Sequence, residues 1–303
     1  MLALVTHAAC RGHENARGHP ETPERLDAVV ERLERDLVAP GLACWLEAPL
    51  ASDGDLLRVH TAAHLARLAR VDREGGGVLD PDTAMRPGSL EAARRAAGAA
   101  VLAAEYALAG KGPAFCAVRP PGHHATPGEA MGFCLLNNAA VAARVALERL
   151  GAARVLIVDF DVHHGNGTAD AFRAEPRVRY VSSHQWPHYP GTGAAEDGGA
   201  GNLFHAPLPA GLPAATYTRA LLHAVDHALA GFAPALVIFS AGFDGLRGDP
   251  LGGFAWEPAD VAAFTRGILA RAGRPPTVSV LEGGYAPARV AEAAALHAAA
   301  LAG

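Results

Sequence analysis

Short apolar runs bounded by glycine, proline or acidic residues alternate along this chain with longer Ala/Leu-rich stretches of helical period. Val155-Leu-Ile-Val158 and Leu236-Val-Ile-Phe239 are continuously apolar, the pattern of parallel strands covered by helices on both faces. The short runs predict strands over Leu2–His7, Ala114–Val118, Arg154–Asp161, Arg179–His184, Ala235–Ala241 and Thr277–Glu282. Between them, apolar positions recurring every three or four residues predict helices over Pro23–Val38, Leu90–Ala109, Asn138–Leu150, Ala214–Ala230, Pro258–Ala272 and Pro287–Leu301. This alternation predicts a single α/β domain over residues 1–303, with an open, mainly parallel sheet between two helical layers. No internal repeat or linker interrupts it.

Composition narrows the partners. The 303 residues are 50% apolar, enough for a large core, and the net charge is −5. Without an excess of Lys and Arg to displace counterions, the chain is not expected to bind nucleic acid. No run approaches about 20 apolar residues, so no membrane span is expected. Cys10, Cys44, Cys116 and Cys134 form no C-x-x-C pair. With no secretory signal at the start, they read as reduced thiols of a cytoplasmic protein.

The polar residues that carry chemistry stand immediately after the predicted strands: RPPGHHA after Val118, DVHHGNGT after Phe160, AGFD after Ser240 and EGGY after Leu281. Ligands of open α/β sheets bind beyond the carboxyl ends of the strands, so four such clusters can meet in one pocket. In an extended segment residues two apart share a face, which would put Asp159, Asp161 and His163 together. Two carboxylates and an imidazole are costly to bury without a cation, and Asp and His are ordinary zinc donors. A capping Asp beside a surface His is the plainer alternative. Asp244 supplies a third ligand and leaves coordination open, the mark of a catalytic rather than a structural zinc; taken singly it reads equally well as a turn residue. His123 and His124 follow a rigid Pro-Pro-Gly turn and suit acid–base catalysis. Tyr285, after two glycines, can donate to an oxyanion, or merely cap the sheet. Their joint occurrence favours the chemical reading.

Taken together, RPPGHHA, GFCLLNN (Gly132–Asn138), DFDVHHGNGT (Asp159–Thr168), YPGTG (Tyr189–Gly193), AGFDGLRGDPLGG (Ala241–Gly253), GGY (Gly283–Tyr285) and the early HPETPER (His19–Arg25) resemble the successive signatures of the histone deacetylase superfamily. This superfamily includes acetylpolyamine amidohydrolases and acetoin-utilisation proteins. Asn166 and the DPLGG run resemble its class II and bacterial branch. The resemblance implies an arginase/deacetylase-like fold and a zinc-dependent amidohydrolase. It makes Asp161, His163 and Asp244 the zinc ligands, a set that Fe(II) could also occupy. It makes His124 the base that activates water, His123 a mainly electrostatic partner, and Tyr285 the group that polarises the carbonyl. Asp159 would orient His123 and Asn166 would orient His124. Asn166 stands where class I enzymes carry Asp, which lowers the proton affinity expected of His124.

The resemblance also implies a substrate channel and a structural potassium ion. Gly132 and Phe133 would form one wall; Trp186 and Tyr189 compete for the other. Asp82, with Asp80 as the alternative, would grip the substrate backbone, and Arg25 would serve release of the acid product. Asp159, Asp161, His163, Ser182 and Ser183 would hold potassium. Polyamine-specific relatives carry an acidic residue after Asp249-Pro250. Leu251 stands there, which favours an N-acyl-lysine side chain over an acetylpolyamine or other small acylated amine. The related ureohydrolases need a D-x-D pair on the late strand, and Gly242-Phe-Asp244-Gly-Leu lacks it. A metal-containing binding module without activity would be expected to lack His124 or Tyr285, and both are present.

Overall fold

The two continuously apolar runs lie side by side, Val155 opposite Leu236 and Asp159 opposite Ser240, in the interior of an eight-stranded sheet. A computed structural model describes residues 1–303. In chain order the elements are β1 (Leu2–Thr6), α1 (Pro23–Leu33), β2 (Ala43–Glu47), α2 (Asp53–Leu56), α3 (Ala62–Arg73), β3 (Gly77–Asp80), β4 (Thr83–Met85), α4 (Ser89–Leu108) and β5 (Ala114–Cys116). They continue with α5 (Asn138–Glu148), β6 (Val155–Asp159), α6 (Asn166–Phe172), β7 (Val178–Gln185), β8 (Leu203–Leu208), α7 (Ala214–Leu229), β9 (Leu236–Ala241), α8 (Pro258–Ala272), β10 (Thr277–Leu281) and α9 (Pro287–Ala302).

The large sheet has the order β2-β1-β5-β10-β9-β6-β7-β8, and every neighbouring pair is parallel. Helices α1, α9, α8 and α7 cover one face in succession, while α4 and α5 pack together against the other. All five residues of β6 and of β10, and all six of β9, are buried, as strands with two covered faces require. No helix is long and apolar enough to cross a membrane.

Alanines set the spacing of the α4 layer. Ala92, Ala93, Ala96, Ala97 and Ala100 are buried, and the Gly98 backbone lies so close to the Pro49 carbonyl that a Cβ would overlap it. The opposite layer is aromatic. His297 on α9 is fully buried with its ring edge-on to Phe115, Phe160, Phe239 and Phe243. Its Nδ1 meets Thr265 Oγ1 at 2.7 Å and its Nε2 meets Ser279 Oγ at 2.8 Å. Thr265 already donates its proton to the Val261 carbonyl, so Nδ1 carries the imidazole proton and Nε2 accepts from Ser279.

The predicted central elements are present, with shifted ends. The strand expected to reach Asp161 stops at Asp159, and the helix expected to reach Val38 gives way after Leu33 to one π-helical turn, Glu34–Val38. Unpredicted elements are short or peripheral. Among them β2 and β8 are sheet edges, and β8 holds Pro207 where an edge strand tolerates a missing N–H. The β3–β4 hairpin contributes only seven strand residues and runs antiparallel, apart from the main sheet.

Candidate active site

Strands β10, β9 and β6 are adjacent and end at Leu281, Ala241 and Asp159, so the three loops that follow open onto one place. Beyond Asp159 the chain does not stay extended. The Asp161 N–H donates to Asp159 Oδ1 at 3.2 Å, and the His163 N–H donates to Asp161 Oδ1 at 2.9 Å. Each carboxylate thereby curls the two residues after it. The shared strand face expected for Asp159, Asp161 and His163 is replaced by a turn in which Asp161 and His163 meet Asp244, while Asp159 turns to His123.

His163 Nδ1 lies 3.0 Å from Asp161 Oδ1 and 3.1 Å from Asp244 Oδ2. One donor atom from each of these buried residues falls within 4.8 Å of the other two. Glycines make the room: a Cβ at Gly242 would overlap the Asp161 carboxylate, and one at Gly283 would overlap the carboxylates of both Asp161 and Asp244. Burial together with the negative charge of Asp161 pushes Asp244 up to about 7, the response of a dehydrated carboxylate pair short of positive charge. Two carboxylates and one imidazole around a common point fit a divalent cation such as zinc and neutralise it.

The adjacent imidazoles are held differently. His123 Nδ1 meets Asp159 Oδ2 at 3.1 Å, and that oxygen also accepts from the Tyr180 hydroxyl at 2.8 Å. Burial alone would lower the His123 pKa, but the charges of Asp161 and Asp159 outweigh it and raise it to about 10. His124 Nδ1 meets Asn166 Oδ1 at 2.7 Å. An amide oxygen only accepts, so Nδ1 carries the proton and Nε2 keeps its lone pair. Burial, then the charges of His123 and His163, hold His124 well below the ordinary histidine value. The partners therefore divide the pair: the Asp159 carboxylate favours the charged form of His123, whereas the Asn166 amide oxygen leaves the His124 Nε2 lone pair free. Behind it, Glu282 Oε2 accepts the N–H groups of Gly122 at 2.6 Å and His123 at 3.1 Å, pinning the Pro-Pro-Gly turn.

A cavity of about 210 Å³ leads to this cluster. It is lined by Asp82, Gly132 and Phe133, by His188, Tyr189 and Leu251, and by His124, His163 and Tyr285. Phe133 stands edge-on to Tyr285 at 5.8 Å, and Tyr189 edge-on to His124 at 5.1 Å. Of the two competing aromatics Tyr189 lines the cavity and Trp186 does not; of the two competing carboxylates Asp82 does and Asp80 does not. His188 stacks on His163 at 5.0 Å and donates from Nε2 to the Leu251 carbonyl at 2.9 Å. Burial holds the Tyr285 phenol well above its ordinary pKa, so it keeps its proton.

Beneath the Tyr285 ring lies Arg25, its Cζ 4.8 Å from the ring centroid. Arg25 is buried, donates to the carbonyls of Gly284 and Glu282, and pairs with Glu21 at 2.8 Å. Glu21 is shared with a second buried arginine, Arg119. Elsewhere, the Ser182 hydroxyl is hydrogen-bonded to His184 Nδ1 at 2.9 Å, and that of Ser183 to the Tyr217 hydroxyl at 2.6 Å.

The sequence does not single out His188, Glu282 or Tyr180 for the site. Glu282, a carboxylate directly after a buried strand and before two glycines, carries a usable signal. The other two owe their places to contacts between distant segments.

The fold and site are those of an amidohydrolase with a candidate site for a divalent metal. A profile of the histone deacetylase domain matches residues 19–301. A probable deacetylase of Methanothermobacter thermautotrophicus is 38% identical over 290 residues, covering 94% of this chain and 86% of that one. A histone deacetylase-like amidohydrolase of Pseudomonas aeruginosa is 40% identical over 287 residues, covering 91% and 74%. The crystal structure of the HDA15 HD domain superposes with a TM-score of 0.93 at 38% identity, covering 99% of this chain and 88% of that chain. The chain belongs to the histone deacetylase family, and within it to the hydrolases of the deacetylase-like amidohydrolase type.

Proposed function

We propose that this protein removes acetyl, or another acyl group, from the side-chain amine of N-acyl-lysine. The observation that carries the reading is the cavity itself. Phe133 and Tyr189 line it together with His124, His163 and Tyr285, and Leu251 in the same lining offers no charge to a second ammonium. An unbranched acylated amine matches such a cavity, with apolar walls along its stem and hydrogen-bonding groups at its end. Asp82, at the wall, is suited to accept from the backbone N–H groups of a peptide.

When held by Asp161, His163 and Asp244, a divalent cation of the zinc type, or Fe(II), supplies Lewis acidity to the amide carbonyl and acidifies water. His124 accepts the proton of the attacking water at Nε2, with Asn166 fixing the tautomer. The Tyr285 hydroxyl donates to the carbonyl oxygen as it becomes negative. The C–N bond breaks, and an imidazolium of the His123–His124 pair protonates the departing amine. Products are a carboxylic acid and a free amine. Arg25, beneath Tyr285, offers a positive charge to the departing acid. A structural potassium ion at Asp159, Asp161, His163, Ser182 and Ser183 belongs to the same reading and rests on the family resemblance.

The test is a comparison of kcat/KM for an acetyl-lysine peptide and for acetylputrescine, on zinc-loaded and on chelator-treated protein. The reading expects the peptide to be preferred and the chelator to abolish turnover. A large preference for acetylputrescine would replace lysine by polyamine as the substrate.

A further inference from the structure

Phe133 adopts a backbone conformation that its residue type avoids. Met131 and Cys134 pair in a tight antiparallel bridge, and the two residues between them, Gly132 and Phe133, have φ of +55° and +68°. Positive φ at both central positions is the type I′ arrangement, which favours Asn-Gly and disfavours a bulky side chain at the second place. The adjacent hairpin compensates. Thr83 Oγ1, on a residue only 2% exposed, accepts the Phe133 N–H at 2.8 Å. The same hydroxyl donates to Asp82 Oδ1 at 2.8 Å, and that oxygen accepts the Gly132 N–H at 3.2 Å.

We propose that Thr83 is a positioning residue for the channel: with Asp82 it clamps the two amides of the Gly132–Phe133 turn and so aims the Phe133 ring into the wall. The inference rests on the channel reading above. It assigns Asp82 an intramolecular task besides any contact with a peptide. A wall that touches the substrate stem acts alike on ground and transition states, so loosening it raises KM and spares kcat.

Three variants and two readouts test this. Thr83→Val removes the hydroxyl at similar volume, Thr83→Ala removes it without an added methyl, and Thr83→Ser restores it. Hydrogen exchange of the Phe133 amide is expected to be at least about tenfold faster in the Val and Ala variants than in wild type or Ser, because its acceptor is gone. KM is expected to rise about tenfold, with kcat within about twofold, for both an acetyl-lysine peptide and N-pentylacetamide. The second substrate has no peptide backbone for Asp82 to hold, so a loss confined to the peptide would overturn the proposal. Unchanged exchange in a folded Val or Ala variant would overturn it as well, as would faster exchange with unchanged KM. A wild-type protein inactive on both substrates would sink the channel reading instead, while the exchange data still decide whether the clamp exists.

Discussion

The Asp249 carboxylate holds Tyr285 from behind. Its Oδ2 accepts the Tyr285 backbone N–H at 2.6 Å, and its Oδ1 accepts the Leu251 N–H at 2.9 Å. One buried side chain therefore places both the phenol at the site and an apolar residue of its lining. Asp249→Ala removes two hydrogen bonds to a charged acceptor, each worth roughly 1.5–3 kcal/mol. We expect kcat/KM to fall by about tenfold or more, and Asp249→Asn, which keeps one acceptor oxygen, to lose less. Steady-state kinetics of the two variants check the order.

Tyr285→Phe deletes the hydroxyl and leaves the ring over Arg25. If the phenol donates to the developing oxyanion, kcat should fall by about 10²–10³, while the zinc content measured by elemental analysis stays as in wild type. A variant of equal activity would remove Tyr285 from the chemistry.

Asp161 and Asp244 are both fully buried, and a cation held between them would compensate their charge in the folded state only. Stripping the protein with a chelator should lower the melting temperature, and added zinc should restore it. At a hundredfold excess over the dissociation constant the gain is about 2.7 kcal/mol, on the order of 4 °C for a chain of this size. Asp244→Ala should abolish the zinc-dependent shift. A full shift in that variant would place the cation elsewhere.

His297 sets part of the acid stability. Burial lowers its pKa from the ordinary 6.5 to about 3. The unfolded chain therefore binds the extra proton between those values. The contribution is complete above pH 6.5 and is lost as the pH falls toward 3. His297→Gln keeps a donor for Thr265 and an acceptor for Ser279 but does not titrate. Denaturant unfolding at pH 7 and pH 4.5 should show a smaller loss on acidification in the variant than in wild type.

Tyr189 lines the cavity and Trp186 does not. Tyr189→Ala should raise KM for an acyl-lysine peptide about tenfold, the order expected for the loss of an aromatic wall. Trp186→Ala should change it less than about twofold. The reverse order in parallel kinetics would assign the wall to Trp186.

Most of the central fold was legible along the chain, because Val155–Val158 and Leu236–Phe239 are apolar at every position and nothing but a doubly covered strand suits them. Asp161, His163 and Asp244 were legible through their residue types and their places after those strands. Their geometry was not: the expected extended face dissolves once Asp159 and Asp161 accept the backbone amides two residues on. Thr83, His188 and Tyr180 were hidden for a different reason. Each acts through a partner tens of residues away, such as Phe133 for Thr83 or Asp159 for Tyr180, and no local period records such a pairing. Edge strands β2 and β8 escaped because half-exposed residues blur the alternation that marks a strand.

The uniform direction of the eight strands separates two kinds of residue. Reactive groups and channel walls all stand on loops past one end of the sheet, whereas the apolar interior lies between the layers. Changes at Tyr189 and Leu251 would therefore reshape the cavity without touching the buried sheet. Phe133 is the exception: exchanging it asks Asp82 and Thr83 to hold a different side chain in the same unfavourable turn.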